Sequence, residues 1–239
     1  QGVYLKIGVV LIGLFCQYEM LHTIRQGGTK TMDVPVYAAA LALFPAYYFW
    51  GASGVLYVYA LALMALFMTR TLCDAYDYRS VAYSALSLLY PQLFMVFFYK
   101  IVCVADEAVS LRMIVFSIMA ASSSDTFAYF VGRAMGKRKL NKTVEGAVGG
   151  LLGGTVMTGL TALVFGETVL PLYAYFLLGA VLAALSQFGD LASSLTKRFF
   201  GVKDFGKLIP GHGGMLDRVC SIIFVLPVTF LFFKLFYGI

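Results

Sequence analysis

The chain has 239 residues, of which 61% are hydrophobic and 13% charged, and its mean hydropathy is +0.85. Soluble domains carry about 45–50% apolar and about 25% charged residues, and a chain of this size cannot hide such an excess in one core. A soluble enzyme and a disordered chain are therefore excluded, and an integral membrane protein is expected. The net charge of +6 would suggest a nucleic-acid partner in a soluble protein. Here it is read as the positive-inside bias of membrane proteins, and no nucleic-acid partner is expected. Cys16, Cys73, Cys103 and Cys220 show neither CxxC pairing nor zinc spacing, so no disulfide framework is expected.

A membrane-crossing helix needs about 20 apolar residues. In chain order the candidate runs are residues 7–21, 34–50, 52–69, 81–104, 111–130, 147–165, 169–188 and 219–236. The first lacks the cationic flank and small-residue cleavage site of a signal peptide, so it is read as a span. The runs are continuously apolar rather than alternating, which argues against barrel strands. The predicted fold is all-α: a polytopic transmembrane bundle of about eight to nine helices. A ninth, short or re-entrant element is allowed in the fourth run or after Phe188. Pro91 and Pro227 are expected to kink their helices. Fourteen of the 18 basic residues fall in the odd-numbered loops, and only Lys6, Lys100, Arg112 and Lys234 fall elsewhere. The odd loops are thus expected on the cytoplasmic side of a bacterial inner (plasma) membrane. The expected division is N-terminal helices over 1–110 and C-terminal helices over 111–239, the latter carrying the site on cytoplasmic loops.

Two odd loops are rich in polar residues, 124–146 and 186–221. Asp125 and Asp190 end the apolar runs SIMAASSSD and LGAVLAALSQFGD. A charged carboxylate at membrane depth costs about 2.5–3.5 kcal/mol on insertion scales, which makes each a candidate functional group. Lys197 follows Asp190 by two helical turns, so Asp190, Ser194, Lys197 and Arg198 form one polar stripe if the helix continues. Then come Lys203-Asp204, Pro210-Gly211-His212-Gly213-Gly214 and Asp217-Arg218. The Pro-Gly and Gly-Gly steps demand a tight backbone, whose N–H groups can cradle phosphate oxygens. Asp190 and Asp217 are expected to share a divalent cation, and carboxylate oxygens suit magnesium completed by substrate phosphates. This is equipment for phosphoryl or nucleotidyl transfer, where charge neutralisation and positioning do most of the catalysis. The run Gly146, Gly149, Gly150, Gly153, Gly154 reads as close helix packing rather than a phosphate loop.

The segment GDLASSLTKRFFGVKDFGKLIPGHGGMLDR resembles the signature of the phosphatidate cytidylyltransferases, the CDP-diacylglycerol synthases. The family pattern, S-x-x-K-R-x-x-x-K-D-x-x-x-x-[IL]-P-G-H-G-G-x-x-D-R-x-D with one residue of slack, is matched from Ser194 to Arg218. The block DTFAYFVGRAMGKRKL…KTVEG is similar to a second family segment. The resemblance implies a membrane-embedded homodimer that joins CTP and phosphatidic acid, giving CDP-diacylglycerol and pyrophosphate. It implies magnesium, at two cation sites, held by Asp190 and Asp217. Catalytic roles would fall to Asp190, Lys197 and Asp217. Substrate contacts would fall to Ser194, Arg198, Lys203, Asp204, Pro210, Gly211, His212, Gly213, Gly214 and Arg218, with Asp125, Lys142 and Glu145 as further candidates. Two features depart from the family. Cys220 stands at a metal position where the family has Asp, and a thiol is a poor magnesium ligand. The stretch before Lys142 is also shorter and lacks the usual Ser-Pro. The rival readings are another CTP-dependent membrane lipid enzyme (a lipid-alcohol kinase or a CDP-archaeol-type synthase) and an ion-coupled transporter. The last predicts inverted repeats, which are not visible.

Overall fold

The computed structural model describes residues 2–135, 143–206 and 213–239. Every element among them is helical: α1 (Val3–Gln26), α2 (Asp33–Leu72), α3 (Tyr78–Ser87), a π-helical segment (Leu88–Leu93), α4 (Phe94–Val102), α5 (Glu107–Met135), α6 (Val144–Val164), α7 (Leu172–Phe199) and α8 (Met215–Tyr237). With α3 through α4 taken as one rod, seven of these are long and apolar enough to cross a membrane. Eight to nine spans were expected, and α2 explains the difference. Its 40 residues break at Gly51, where φ is 60° and ψ is −141°. A Cβ on Gly54 would lie 2.3 Å from the carbonyl oxygen of Ala46, a contact impossible eight residues apart in a straight helix. Val36 and Ala39 pack in one cluster with Ala62 and Leu66, and Leu43 packs with Val55. The arms 33–50 and 52–72 are therefore antiparallel, and one continuous helix becomes the second and third predicted spans. Each arm is roughly 27–31 Å long at 1.5 Å per residue. Exposed Tyr48, Phe49 and Trp50 crowd the turn, as aromatic side chains do at a membrane interface.

The expected proline effect differs at its two positions. At Pro91 the helix breaks, because proline disfavours the α region for the residue before it, and Tyr90 takes φ −130° and ψ 116°. Pro227 lies inside an uninterrupted α8. Asp77 starts α3 as its N-cap: Oδ1 accepts from the Ser80 N–H at 2.8 Å and from the Ser80 hydroxyl at 2.9 Å. Those bonds hold its carboxyl below the usual carboxylate range.

The chain forms two compact units, residues 1–100 with 194–219, and residues 101–193 with 220–239. In the first unit, the α1–α2 turn, the α2–α3 turn and the chain at Phe205 share one end. Lys30 and Tyr76 line a common cavity, the Met32 N–H donates to Ser84 Oγ at 3.0 Å, and the Thr23 hydroxyl donates to the Phe205 carbonyl at 3.4 Å. Arg25, Lys30 and Lys197 thus gather at one end of this unit.

In the second unit α6 lies directly on α5. A Cβ at Gly150 would stand 2.6 Å from the Ser124 carbonyl oxygen, and one at Gly153 would stand 2.3 Å from the Phe127 ring. The glycine run is thus a packing surface, as expected. The far end of this unit is tied by a half-buried network. The Tyr237 hydroxyl donates to Glu167 Oε2 at 2.5 Å, Arg112 Nε lies 3.3 Å from Glu167 Oε1, and the Tyr175 and Tyr237 hydroxyls are 2.6 Å apart. Tyr237→Phe removes the donor to a carboxylate that is 1% exposed. We expect this to cost about 1–3 kcal/mol, seen as a lower melting temperature in detergent. An unchanged melting temperature would show that the network does not hold this end together.

Candidate active site

In the second unit, α5, the start of α6 and α7 at Asp190 line a cavity of about 450 Å³. Asp125, Tyr129 and Arg133 reach it from α5, Thr143 and Gly146 from α6, and Asp190 from α7. The four-residue spacing along α5 places its three side chains on one helix face. Arg133 Nη1 donates to the Tyr129 hydroxyl at 3.3 Å. Thr143 caps α6, accepting from the Gly146 N–H at 3.2 Å. Only glycine fits at 146, since a Cβ there would lie 2.8 Å from the Ala128 carbonyl oxygen. Just before Asp190, the Gln187 amide donates to Ser124 Oγ at 3.2 Å and to the Ala147 carbonyl at 3.0 Å, fixing α7 against both α5 and α6. Glu145, in the first turn of α6, has a buried Oε2 with no hydrogen-bond partner among the described residues. Cys220, 3% exposed, forms no disulfide. Its carbonyl oxygen would lie 2.9 Å from a Cβ on Gly189, so the backbone at 220 runs against the residue next to Asp190.

This donor set fits a hard cation. Asp125 and Asp190 supply carboxylate oxygens, and magnesium takes one or two carboxylates with waters and substrate phosphates completing its shell. Among the described residues no group of three or more His, Cys, Asp or Glu forms a closed metal cage. A substrate-completed site does not require one.

In the first unit, α7 continues past its apolar run to Phe199, so the polar stripe from Asp190 through Lys197 does lie on one helix. Lys197 Nζ is 2.7 Å from Asp217 Oδ1, with side chains 16% and 8% exposed. The same ammonium lies 5.4 Å from the centroid of the Phe205 ring, a cation–π distance. Asp217 Oδ2 accepts from the Phe205 N–H at 2.9 Å and from the Gly214 N–H at 3.0 Å. One carboxylate therefore ties α7, the chain at 205 and the start of α8 together. Gly213 takes φ +84°, a left-handed conformation open to glycine. Around this node Ser194 is half-buried, while Arg198, Lys203, Asp204 and Arg218 are exposed. Lys142, Pro210, Gly211 and His212 lie outside the described residues.

Three residues that were not candidates stand beside these groups, two at the cavity and one at the Lys197–Asp217 node. Tyr129 and Arg133 follow Asp125 at four and eight residues, a periodicity that could have found them. Glu19 of α1 is 3% exposed and accepts from the N–H groups of Met215 at 2.9 Å and Leu216 at 2.7 Å. Its only sequence signal is an ionisable residue inside an apolar run.

A polytopic membrane protein with an aspartate-lined cavity, and with a lysine–aspartate pair at the start of its last helix, has the build of a nucleotide- or phosphate-handling membrane enzyme. Comparison with known proteins makes this specific: the Cytidylyltransferase family pattern matches residues 1–236, and the chain belongs to that family. It is 32% identical over 239 residues to the phosphatidate cytidylyltransferase of Staphylococcus epidermidis, covering 95% of this chain and 88% of the relative. The phosphatidate cytidylyltransferase of Bacillus subtilis is also 32% identical, over 241 residues, with the same shares of 95% and 88%. That of Thermotoga maritima is 34% identical over 172 residues, covering 68% of this chain and 62% of the relative.

Proposed function

We propose that this chain is a phosphatidate cytidylyltransferase, acting on CTP and phosphatidic acid in phospholipid biosynthesis. An oxygen of the lipid phosphate attacks the α-phosphorus of CTP. A new P–O bond forms, the α–β bridging bond breaks, and pyrophosphate leaves with its electron pair, giving CDP-diacylglycerol. The nucleophile is already ionised, so no general base is required. The observation that carries this reading is the pairing of Asp125 with Asp190 in one cavity of a bilayer-crossing unit, with Arg133 at its wall, in a chain that belongs to the Cytidylyltransferase family.

Magnesium is the proposed metal, and its chemistry would be to neutralise the triphosphate and hold it in line. Asp125 and Asp190 would bind it from the protein side. Asp217 has both oxygens engaged by Lys197, Phe205 and Gly214, so its place in a second cation site requires Lys197 to release Oδ1. In the arrangement described, Asp217 fixes the Lys197 ammonium, which is suited to a phosphate. Arg198, Lys203 and Arg218, exposed and basic, are proposed to draw in the anionic substrates. The positive-inside bias supports a location for this machinery on the cytoplasmic face of the plasma membrane, and a homodimer is the proposed assembly.

The test separates acceptor chemistries. Given CTP labelled on its γ-phosphorus, a lipid-alcohol kinase transfers the label to lipid, whereas the proposed enzyme releases it as pyrophosphate. Phosphatidate should serve as acceptor, and neither a polyprenol nor an unsaturated ether-lipid phosphate should compete with it. Label in the lipid phase would overturn the proposal. A second expectation concerns Cys220. Cys220→Asp restores a hard oxygen donor beside Gly189 and is expected to raise turnover and to lower the magnesium concentration needed for half-maximal rate. Equal rates and equal magnesium dependence for both forms would refute a metal role at 220.

A further inference from the structure

The Glu19 carboxylate is wedged between two stretches of chain. A Cβ at Gly206 would lie 2.4 Å from Glu19 Oε1, and one at Gly214 would lie 2.5 Å from each of its oxygens. Glycine at both positions is therefore a packing requirement, and Glu19 reaches the backbone on either side of residues 207–212. Its two oxygens take the N–H groups of Met215 and Leu216, donors in the first turn of α8 that no helical carbonyl satisfies. One turn further along α1, the Thr23 hydroxyl donates to the Phe205 carbonyl at 3.4 Å. The Phe205 N–H and the Gly214 N–H are in turn the donors that hold Asp217 Oδ2. A chain of direct contacts thus runs from Glu19 through residues 205, 206 and 214–216 to Asp217 and on to Lys197.

A buried carboxylate is costly to desolvate. For helix capping alone a serine, threonine or asparagine in the local sequence would suffice. Here the cap comes from another helix, 196 residues away in sequence from Met215, and it meets both flanks of residues 207–212 at once. We infer that Glu19 is a positioning residue for cytidylyl transfer: a clasp from α1 that sets the Asp217–Lys197 pair in its working geometry. This inference rests on the reading under Proposed function, and it adds α1 to the machinery.

The test is a double-mutant cycle, because residues acting through one another are non-additive whereas independent ones multiply. Glu19→Gln keeps the volume but supplies one acceptor oxygen where two donors converge. It is expected to lower kcat about 10-fold or more while KM for phosphatidate stays within about twofold. In a Lys197→Arg background, where the pair is already misplaced, Glu19→Gln should cost less than about threefold more. Should Glu19→Gln fail to fold, Gly214→Ala pushes on the same carboxylate from the other side and is carried through the same cycle. Amide hydrogen exchange at Met215 and Leu216 supplies a readout independent of turnover, and protection there should drop in each variant. Multiplicative losses, or a variant with wild-type kcat, would overturn the inference. Wild-type protein that makes no lipid-linked cytidine would sink the enzymatic reading, while the exchange measurement still decides whether Glu19 clamps this segment.

Discussion

Asp190→Asn is expected to reduce turnover about 100-fold or more, with part of the loss recovered at high magnesium. Asp190 ends the apolar portion of α7 and lines the same cavity as Asp125. Placing a carboxylate there is costly in the membrane, so its charge has a purpose, and the amide keeps the shape while removing the charge. Losing one preorganised electrostatic partner of a phosphoryl group typically costs about 10²–10³ in rate. Activity should be titrated against magnesium at saturating CTP. A curve shifted to higher magnesium is the expected signature, whereas a wild-type curve would remove Asp190 from the cation site. Asp125→Asn should shift the curve the same way.

Asp217→Asn is expected to abolish detectable product while leaving the protein folded. Among the described residues Asp217 accepts from Lys197 Nζ on Oδ1 and from the N–H groups of Phe205 and Gly214 on Oδ2. Asparagine has a single acceptor oxygen, so either Lys197 or the two backbone donors must face an amide NH2. The ammonium would then lose its counter-charge and its anchor together. A near-normal melting temperature with no turnover is the expected combination. Retained turnover would reduce Asp217 to a structural tie.

The spans and the polar segments were legible because hydrophobic length and charge are local properties. All eight predicted runs map onto helices, onto the two arms of α2 or onto the α3-to-α4 rod, and the hairpin at Gly51 was marked by a single glycine between two apolar runs. The polar stripe on α7 was legible from the seven-residue spacing of Asp190 and Lys197, and helical continuity to Phe199 places both on one rod. What the sequence concealed is pairing across distance. Residues 194–219 join the N-terminal helices in one unit, and nothing local announces it. Glu19 stands in the first run with no motif around it, and its role appears only through partners 196 and 197 residues away. The motif marks Asp217, but its bonds to Lys197 and to the N–H groups of Phe205 and Gly214 are seen only in the fold. A motif reports which residue types are required, and long-range contact decides how each is used.

The central claim is that CTP gives its cytidylyl group to a lipid phosphate. The most direct measurement incubates the purified protein in mixed micelles with cytidine-labelled CTP, phosphatidic acid and magnesium, and follows both products. The account predicts labelled CDP-diacylglycerol in the lipid phase, an equal amount of pyrophosphate in the aqueous phase, and neither when magnesium is chelated. Cytidine label that stays entirely in the aqueous phase, with magnesium present and the protein folded, would contradict it.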